Sequence, residues 1–284
     1  MSPSGGGMLT GKKIGFLGAG NMAEALIRGL LQSHLVDERS LWISDVRRER
    51  LQYFQERYSL PHFEENRSLA AHCQILILAV KPQQMGEVLH QIREAVRSDQ
   101  ILISIAAGIP TSLILKELKR EARVVRVMPN TPALVLEGAS ALCPGPYSTA
   151  EDLKVAQLIF SSVGKVVVVK EELMDAVTGL SGSGPAYVFL AMEGLREAGI
   201  RLGIPPETAH LLVVQTFLGA ARMVDEGKED PGLLRERVSS PGGTTLAGLK
   251  VLEERNFRGI LADAVEAATQ RSRELAGQQR TGGG

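Results

Sequence analysis

Cysteine and histidine are scarce in this chain, and its formal net charge is zero. Only two cysteines, Cys73 and Cys143, occur in 284 residues, which excludes a disulfide framework. Both lie in apolar stretches that predict buried thiols. The 32 Lys and Arg residues balance the 32 Asp and Glu residues, so no net field attracts nucleic acid or an anionic membrane. An anionic ligand must therefore be bound by local geometry.

Long apolar runs and targeting signals are also missing. No apolar run reaches the roughly 18 residues of a membrane span. The N-terminal stretch has neither an apolar core nor an Arg-rich amphipathic pattern, which predicts a cytoplasmic location. The five histidines and two cysteines show no metal-ligand spacing, so we predict no bound metal. The absence of a recognisable catalytic histidine argues against a hydroxyacid dehydrogenase.

The first part of the chain alternates short β-rich runs with helical patterns. The runs are almost continuously apolar, as expected of strands covered on both faces. Strand alternating with helix predicts a doubly wound parallel sheet, and hence an α/β Rossmann-like domain over residues 12–170. The predicted strands are Lys13–Leu17, Leu41–Ser44, Ile75–Val80, Ile101–Ile105, Val124–Val127 and Val166–Val169. The Gly-, Ser- and Gln-rich ends, residues 1–11 and 277–284, are predicted to be disordered tails.

Long patterns with a period of 3.6 residues follow Glu171 and predict an all-helical domain over residues 171–276. The stretch Ala209–Met223 is apolar nearly all round, which places it in a core or under another subunit. We therefore expect a homodimer through this helical domain. Its predicted helices are Ala186–Leu202, Pro206–Glu226, Thr245–Glu254 and Phe257–Leu275.

A glycine-rich turn in the sequence IGFLGAGNMAEAL joins the first predicted strand to a helix. Gly18, Gly20 and Ala23 form the G-x-G-x-x-A pattern of dinucleotide-binding proteins. Gly18 permits the tight turn, Gly20 lets the backbone approach the pyrophosphate, and Ala23 allows the helix to pack closely on the strand. The phosphates would sit on the N–H groups at the helix N-terminus. An ordinary tight turn is the weaker alternative, because the strand and helix that the motif requires are both present.

The end of the second strand leaves the choice of dinucleotide open. Asp45 would accept hydrogen bonds from the adenosine ribose and favour NADH. Arg47 or Arg48 would pair with a 2′-phosphate and favour NADPH, although both arginines are also typical of a solvated helix start. The sequence therefore predicts NADPH or NADH without deciding between them.

Three further segments follow predicted strands. Ligands of such sheets lie beyond the carboxyl ends of the strands, so Ala79–Pro82 and Ala106-Ala107 should border the cofactor. Lys81 is placed to help with phosphate charge or a ribose hydroxyl. Asn130 and Thr131 are predicted either to bind a ligand or only to form a turn.

Two polar, glycine-rich segments, TGLSGSGP at residues 178–185 and SSPGGTT at residues 239–245, interrupt the helical domain. Each opens a helix, where N–H groups and hydroxyls can hold a carboxylate; the alternative is a pair of ordinary capped helix starts. The segments favour reduction of a C=N bond, because a protonated imine needs mainly alignment with the hydride donor. Ser and Thr hydroxyls, with a carboxylate such as Glu171, would steady the nitrogen.

These motifs resemble those of the pyrroline-5-carboxylate reductases. The most specific are DAVTGLSGSGPAY (Asp175–Tyr187) and VSSPGGTT (Val238–Thr245), and GFLGAGNMAEAL, LAVKPQ and MPNTP agree in order and placement. The resemblance covers Ile14–Leu275 and is closest to the shorter, cytosolic animal type. It implies a Rossmann domain with a helical dimerisation domain, dimers that commonly assemble into decamers, and reduction of L-1-pyrroline-5-carboxylate to L-proline with NAD(P)H, the final step of proline biosynthesis.

The resemblance also implies roles for individual residues. Thr245 would be the catalytic hydroxyl that faces the ring nitrogen. The implied substrate-binding residues are Glu171, Ser183, Gly184, Pro185, Ser239, Ser240, Thr244 and Thr245. The implied cofactor-binding residues are Gly18, Ala19, Gly20, Asn21, Met22, Asp45, Arg47, Asn66, Ala79, Val80, Lys81, Pro82, Ala106 and Ala107.

Two departures and two alternatives accompany this prediction. Asp45 stands where many relatives carry a small hydroxyl residue or Asn. Arg237 replaces an Asn that contacts the cofactor in close relatives. The alternatives are a catalytically inactive, dinucleotide-sensing regulatory protein and a reductase of another cyclic imine.

Overall fold

The computed structural model describes residues 6–281 and divides the chain into two compact units. The first unit extends to Gly182 and takes in the chain from Ala267 onward; the second unit is Ser183–Glu266. The first unit contains the strands β1 (Ile14–Leu17), β2 (Leu41–Ser44), β3 (Ile75–Leu78), β4 (Ile101–Ser104), β5 (Arg123–Met128), β6 (Gly138–Pro144) and β7 (Gly164–Val168). They form one seven-stranded sheet in the order β2-β1-β3-β4-β5-β6-β7.

Helices account for most of the remaining chain. Among residues 6–281, no helix is both long enough and apolar enough to cross a membrane. The first unit contains α1 (Gly6–Leu9), α2 (Asn21–Gln32), α3 (Arg48–Tyr58), α4 (Asn66–His72), α5 (Met85–Ile92), α6 (Thr111–Leu118), α7 (Ala150–Ser161) and α8 (Met174–Val177). The second unit contains α9 (Gly184–Arg201), α10 (Pro206–Gly227), α11 (Pro231–Arg237) and α12 (Thr244–Glu254), and α13 (Phe257–Thr281) runs from the second unit into the first.

The strands β1, β3 and β4 are buried along their whole length, as their apolar composition predicts. Alternate residues of a strand point to opposite faces, so Ile75 and Ile77 of β3 pack in one cluster with residues of α2, α3 and α7. Leu76 and Leu78 pack in a second cluster with residues of α4, α5 and α6. All four side chains are fully buried, and each contributes roughly 1.5–3 kcal/mol to stability. The predicted alternation of strand and helix is confirmed.

The sheet is not wholly parallel, because β6 pairs antiparallel with β5. Sequence analysis did not predict β6, whose sequence GASALCP has no β-branched residue and therefore little β-propensity. Only nine residues separate Met128 from Gly138, fewer than the dozen or so that a parallel crossover requires. The antiparallel direction follows from this short connection.

Part of each predicted disordered tail lies in a helix. Within the tail predicted over residues 1–11, Gly6–Leu9 forms α1, and the Leu9 side chain is buried in the apolar cluster that covers β1. Within the tail predicted over residues 277–284, α13 continues to Thr281. The sequence did not predict α1, because one buried leucine in a glycine-rich stretch forms no apolar pattern. The remaining tail residues, 1–5 and 282–284, lie outside the described residues.

The boundary between the two compact units lies between Gly182 and Ser183, whereas the sequence predicts a domain boundary between residues 170 and 171. Met174 is fully buried and packs with Ala141 and Cys143 of β6. The hydroxyl of Ser272 donates to Asp175 Oδ1 at 2.7 Å. These contacts tie α8 and the end of α13 to the first unit.

A small cluster at the start of β1 makes stability depend on pH. Lys13 Nζ donates to His72 Nε2 at 2.9 Å, and the Trp42 ring lies 4.4 Å from the imidazole. Burial, with a smaller contribution from the Lys13 charge, lowers the pKa of His72. Because the unfolded chain then binds more protons just below about pH 6.5, native stability falls as the pH falls through that range.

We expect His72→Gln, which keeps an acceptor for Lys13, to flatten the dependence of Tm on pH between about pH 7.5 and 5. Thermal unfolding followed by circular dichroism measures the slope. The control is His34→Asn, at an exposed position with φ 54°, where Asn tolerates the left-handed backbone. A slope in His72→Gln as steep as in the control would contradict the assignment.

Candidate functional site

A cleft of about 280 Å³ lies at the carboxyl ends of β1, β2 and β3. In the order β2-β1-β3, the chain forms β2 on one side of β1 and then crosses to the other side to form β3. Open α/β sheets bind their ligands at the point where the strand order changes side in this way. The turns that follow all three strands contribute to its walls. The lining residues are Gly18, Gly20, Ser44, Asp45, Val46, Arg47, Asn66, Ala79, Val80, Lys81, Gln84, Glu87, Val88 and Gln91.

The glycine loop has the geometry that its motif predicts. Gly18 has φ +98°, and a Cβ built there would lie 2.7 Å from the carbonyl oxygen of Ala79. A Cβ built on Gly20 would meet no protein atom within 4 Å, so this glycine faces open space in the cleft. Ala23 is buried against the sheet. The first turn of α2 therefore presents its N–H groups at a surface that a phosphate can approach closely, and the residues present fit a dinucleotide.

Asp45 is bound both to the glycine loop and to Arg47. Its Oδ2 accepts the N–H of Ala19 at 2.8 Å, and its Oδ1 accepts the N–H and Nε–H of Arg47 at 2.9 and 3.1 Å. Burial opposes ionisation of Asp45, but the hydrogen bonds from Arg47 and Ala19 outweigh it and lower the pKa of the carboxyl. Asp45 is therefore ionised at neutral pH.

Eight of the fourteen predicted cofactor residues line the cleft. The other six do not line it. Ala19 is buried and reaches the site only through its N–H bond to Asp45. The cofactor contacts of all fourteen residues stay predictions. The eight that line the cleft are Gly18, Gly20, Asp45, Arg47, Asn66, Ala79, Val80 and Lys81, and the six that do not are Ala19, Asn21, Met22, Pro82, Ala106 and Ala107.

Sequence reasoning did not predict that α5 forms the far wall of the cleft. Gln84, Glu87, Val88 and Gln91 come from α5 and the turn before it, and their spacing of three and four residues places them on one helix face. Asn66 connects this wall to β2, because its amide accepts the Ser44 hydroxyl at 2.9 Å and donates to Gln91 Oε1 at 2.6 Å. The 84-87-88-91 spacing was the signal that could have found this wall.

The first of the two glycine-rich segments is not the open loop that the sequence predicts. Thr178–Gly182 forms a π-helical turn directly after α8, and Ser183 occupies the N-cap position of α9 without a side-chain capping bond. The hydroxyls of Thr178 and Ser181 donate to carbonyls of the preceding turn, at 2.8 and 3.1 Å. Small residues and these local hydroxyl bonds let the backbone stay helical despite its glycines.

Asn130 braces this π-helical turn. Its amide nitrogen donates to the Ser181 carbonyl at 3.1 Å, and its amide oxygen accepts the N–H of Ala139 at 2.8 Å. Asn130 was predicted either to bind a ligand or only to form a turn, and these two hydrogen bonds give it a structural role.

The second glycine-rich segment forms a tight turn before α12 in the second unit. The N–H of Gly243 donates to the Ser240 carbonyl at 3.0 Å, and Gly242 has φ +72°. The Ser239 hydroxyl donates to the Arg235 carbonyl at 2.6 Å. Gly243 then begins α12 without a side-chain cap, which leaves N–H groups at Thr244 and Thr245 without intrahelical partners. Thr245 is half-buried and Thr244 exposed.

Arg237, which precedes this turn, is paired within the second unit. Its guanidinium contacts Glu229 Oε2 at 2.5 Å, between the end of α11 and the turn before it. The pair stabilises the approach to the glycine-rich turn.

Glu171 caps the N-terminus of α6 within the first unit. Its two carboxylate oxygens accept the N–H and the hydroxyl of Thr111, each at 2.7 Å. The guanidinium of Arg126, which is buried, lies 3.4 Å from Glu171 Oε1. The carboxylate thus satisfies a helix-end N–H group and neutralises a buried cation. The contact of Glu171 with substrate stays a prediction. Its role as a helix cap is a further finding, which the spacing of residues along the chain does not reveal.

We expect Glu171→Gln to lower the free energy of unfolding by about 2 kcal/mol, because it leaves the Arg126 charge without its partner. The effect is smaller than for a fully buried pair, since the Glu171 side chain is 32% exposed. Urea unfolding measures it. Glu172→Gln, the same change at the exposed neighbouring position, is the control; an equal effect in both variants would contradict the capping role.

Neither cysteine is a nucleophile in this site. Cys73 and Cys143 are buried and unpaired, which confirms their prediction as buried thiols. Burial raises the pKa of Cys73 to about 12 and that of Cys143 to about 11. Both therefore remain protonated at neutral pH and unreactive.

The sheet order, the glycine loop and the cleft together define a Rossmann-like, NAD(P)-dependent oxidoreductase. Two family models match the chain. One, described as "NADP oxidoreductase coenzyme F420-dependent", matches residues 13–108. The other, described as "Pyrroline-5-carboxylate reductase dimerisation", matches residues 171–275. The second match supports oligomerisation through the helical domain.

Relatives that align with 93% of the chain identify one family within this class. A pyrroline-5-carboxylate reductase of Methanosarcina acetivorans is 44% identical, over 93% of this chain and 98% of its own. One of Arabidopsis thaliana is 41% identical, over 93% and 95%. The structure of a pyrroline-5-carboxylate reductase from Coxiella burnetii has a TM-score of 0.87 and 38% identity, over 93% of this chain and 98% of the other. The chain belongs to the pyrroline-5-carboxylate reductase family.

The structure of a Plasmodium falciparum pyrroline carboxylate reductase with NADP bound has a TM-score of 0.85 and 35% identity, over 94% of this chain and 98% of the other. That relative thus holds a nicotinamide dinucleotide. The predicted use of NAD(P)H is confirmed for this chain by its family and its dinucleotide-binding domain.

Proposed function

We propose that the protein reduces L-1-pyrroline-5-carboxylate to L-proline with NADH or NADPH, the final step of proline biosynthesis. The observation that carries the proposal is the full-length similarity to pyrroline-5-carboxylate reductases. The cleft beside the glycine loop is consistent with it, because hydride transfer needs a bound dinucleotide.

The reaction adds a hydride to C5 of the protonated imine, so that a C–H bond forms while the C=N π electrons move to the nitrogen and neutralise its charge. The dinucleotide supplies the hydride when bound. Gly18, Gly20 and the N-terminus of α2 would hold the pyrophosphate, and Lys81, which lines the same cleft, would add positive charge.

We further propose that the turn before α12 binds the substrate. Its Ser239, Ser240, Thr244 and Thr245 supply hydroxyls, and the start of α12 supplies N–H groups for the carboxylate. Thr245 bonds the ring nitrogen and holds it in line for transfer. The remaining proposed substrate contacts are Glu171 and, at the start of α9, Ser183, Gly184 and Pro185.

The test is loss of NADH or NADPH absorbance on addition of pyrroline-5-carboxylate, with L-proline identified by mass spectrometry. Turnover with proline as product is the expected result. Cofactor binding without turnover would support the regulatory alternative. Faster turnover of a different cyclic imine would support the other alternative. Either result would overturn the proposal.

We also propose a homodimer through the helical domain, five of which assemble into a decamer, and a cytoplasmic location. Large apolar side chains of this domain are exposed in the single chain, among them Phe189, Leu190, Leu211, Leu212, Leu246 and Val251. Covering them would gain free energy in proportion to the area removed from water. Light scattering would measure the mass against 30.6 kDa for one chain; a monomeric mass would contradict the proposal.

A further inference from the structure

The carboxylate after β2 has two fixed backbone partners and one exchangeable side-chain partner. Asp45 accepts the N–H groups of Ala19 and Arg47 at 2.8 and 2.9 Å, and it accepts the guanidinium of Arg47 at 3.1 and 3.3 Å. The Asp45 side chain is 7% exposed and that of Arg47 57% exposed. Ribose hydroxyls can therefore replace the Arg47 side chain on Asp45, while Ala19 keeps the carboxylate in place.

The depression beside Asp45 is acidic. Besides neutral side chains, it is lined by the carboxylates of Asp45, Glu64 and Glu65 and by one guanidinium, that of Arg67. A 2′-phosphate would bring up to two further negative charges into this depression. In this depression the phosphate would face three carboxylates and one guanidinium, whereas a ribose diol carries no charge and donates hydrogen bonds to carboxylates.

Each of the two nearby arginines contacts one of these acids. Arg47 pairs with Asp45 at 3.1 Å, whereas Arg48 makes only a long contact of 3.9 Å with Glu64, and both of those side chains are exposed. A 2′-phosphate bound by Arg47 would lie beside the Asp45 carboxylate, which repels it. The charge pattern therefore favours the dinucleotide without the 2′-phosphate.

We propose that Asp45 makes this protein select NADH over NADPH, with the same carboxylate that supports the glycine loop through Ala19. The proposal deepens the proposed function by naming its cofactor, and it rests on that function only for the kinetic measurement. Asp45 is thus a specificity residue for the adenosine half of the dinucleotide, remote from the hydride.

Dissociation constants for NADH and NADPH, measured from the fluorescence of the bound dinucleotide, test the proposal without any substrate. We expect the wild type to bind NADH at least about tenfold more tightly, equivalent to about 1.4 kcal/mol. Asp45→Asn removes the charge and keeps an oxygen for the Ala19 N–H, so it should tighten NADPH binding and bring the ratio close to one. Glu56→Gln, an exposed carboxylate on α3, is the charge-matched control and should keep the wild-type ratio.

Each outcome of these binding measurements either supports or overturns the proposal. Equal or tighter binding of NADPH by the wild type, or an unchanged ratio in Asp45→Asn, would overturn the proposal, and so would binding of neither dinucleotide. The wild-type ratio requires no variant, so a folding defect in Asp45→Asn cannot obscure it. If NADH binds preferentially but pyrroline-5-carboxylate is not turned over, the proposed function fails while the cofactor selection stands.

Discussion

Replacing Gly18 with alanine is expected to destabilise the protein by roughly 2–4 kcal/mol and to weaken dinucleotide binding at least about a hundredfold. Two costs add. An L-residue is strained at φ +98°, and its Cβ would lie 2.7 Å from the Ala79 carbonyl oxygen, a backbone atom that cannot move aside without shifting β3. Urea unfolding and fluorescence titration with NADH measure the two effects.

Gly20→Ala is the matched control, because the same methyl group there enters open space rather than the protein. It should leave the free energy of unfolding within about 1 kcal/mol of the wild type, since its backbone is ordinary. It should still weaken cofactor binding, because the methyl group occupies the surface that the pyrophosphate approaches. Equal destabilisation in the two variants would refute the distinct roles of the two glycines.

Thr245→Val should lower kcat about a hundredfold, the typical cost of removing one positioned hydrogen-bonding group from a reacting centre. Valine keeps the branched shape and removes only the hydroxyl, so KM and the unfolding free energy should change little. Steady-state kinetics at saturating NADH and pyrroline-5-carboxylate measure the loss.

Two further variants isolate the hydroxyl. Thr245→Ser keeps it and should recover most of the activity. Thr208→Val makes the same substitution in the first turn of α10, at an exposed threonine of the same unit, and should leave kcat unchanged. Full activity in Thr245→Val would remove this residue from the mechanism.

Features that depend on local pattern were predictable from the sequence. The apolar runs located β1, β2, β3, β4, β5 and β7. Burial on both faces accounts for the composition of the inner strands, whereas β7 is largely exposed, with Val167 57% exposed. The glycine loop was recognisable because its strand, turn and helix are consecutive in the chain, and the φ of Gly18 agrees with the reason given for it.

Features that depend on contacts distant in sequence were not predictable. Glu171 caps Thr111 across 60 residues, and Asn130 braces Ser181 across 51; neither pair has a local signature. The π-helical turn at Thr178–Gly182 was predicted as a loop because glycine and serine usually break helices. Here the tertiary brace outweighs that propensity.

The chain passes between its two units twice, at residues 182–183 and again at 266–267. In terms of biosynthesis, the second unit is an insertion within the first rather than an addition to it. The buried Ser272 and Thr269 follow the second unit in the chain, so during synthesis the dinucleotide-binding unit acquires this part of α13 only after the helical unit has been made. A nascent chain that ends before Ala267 would leave Asp175 without its Ser272 hydroxyl.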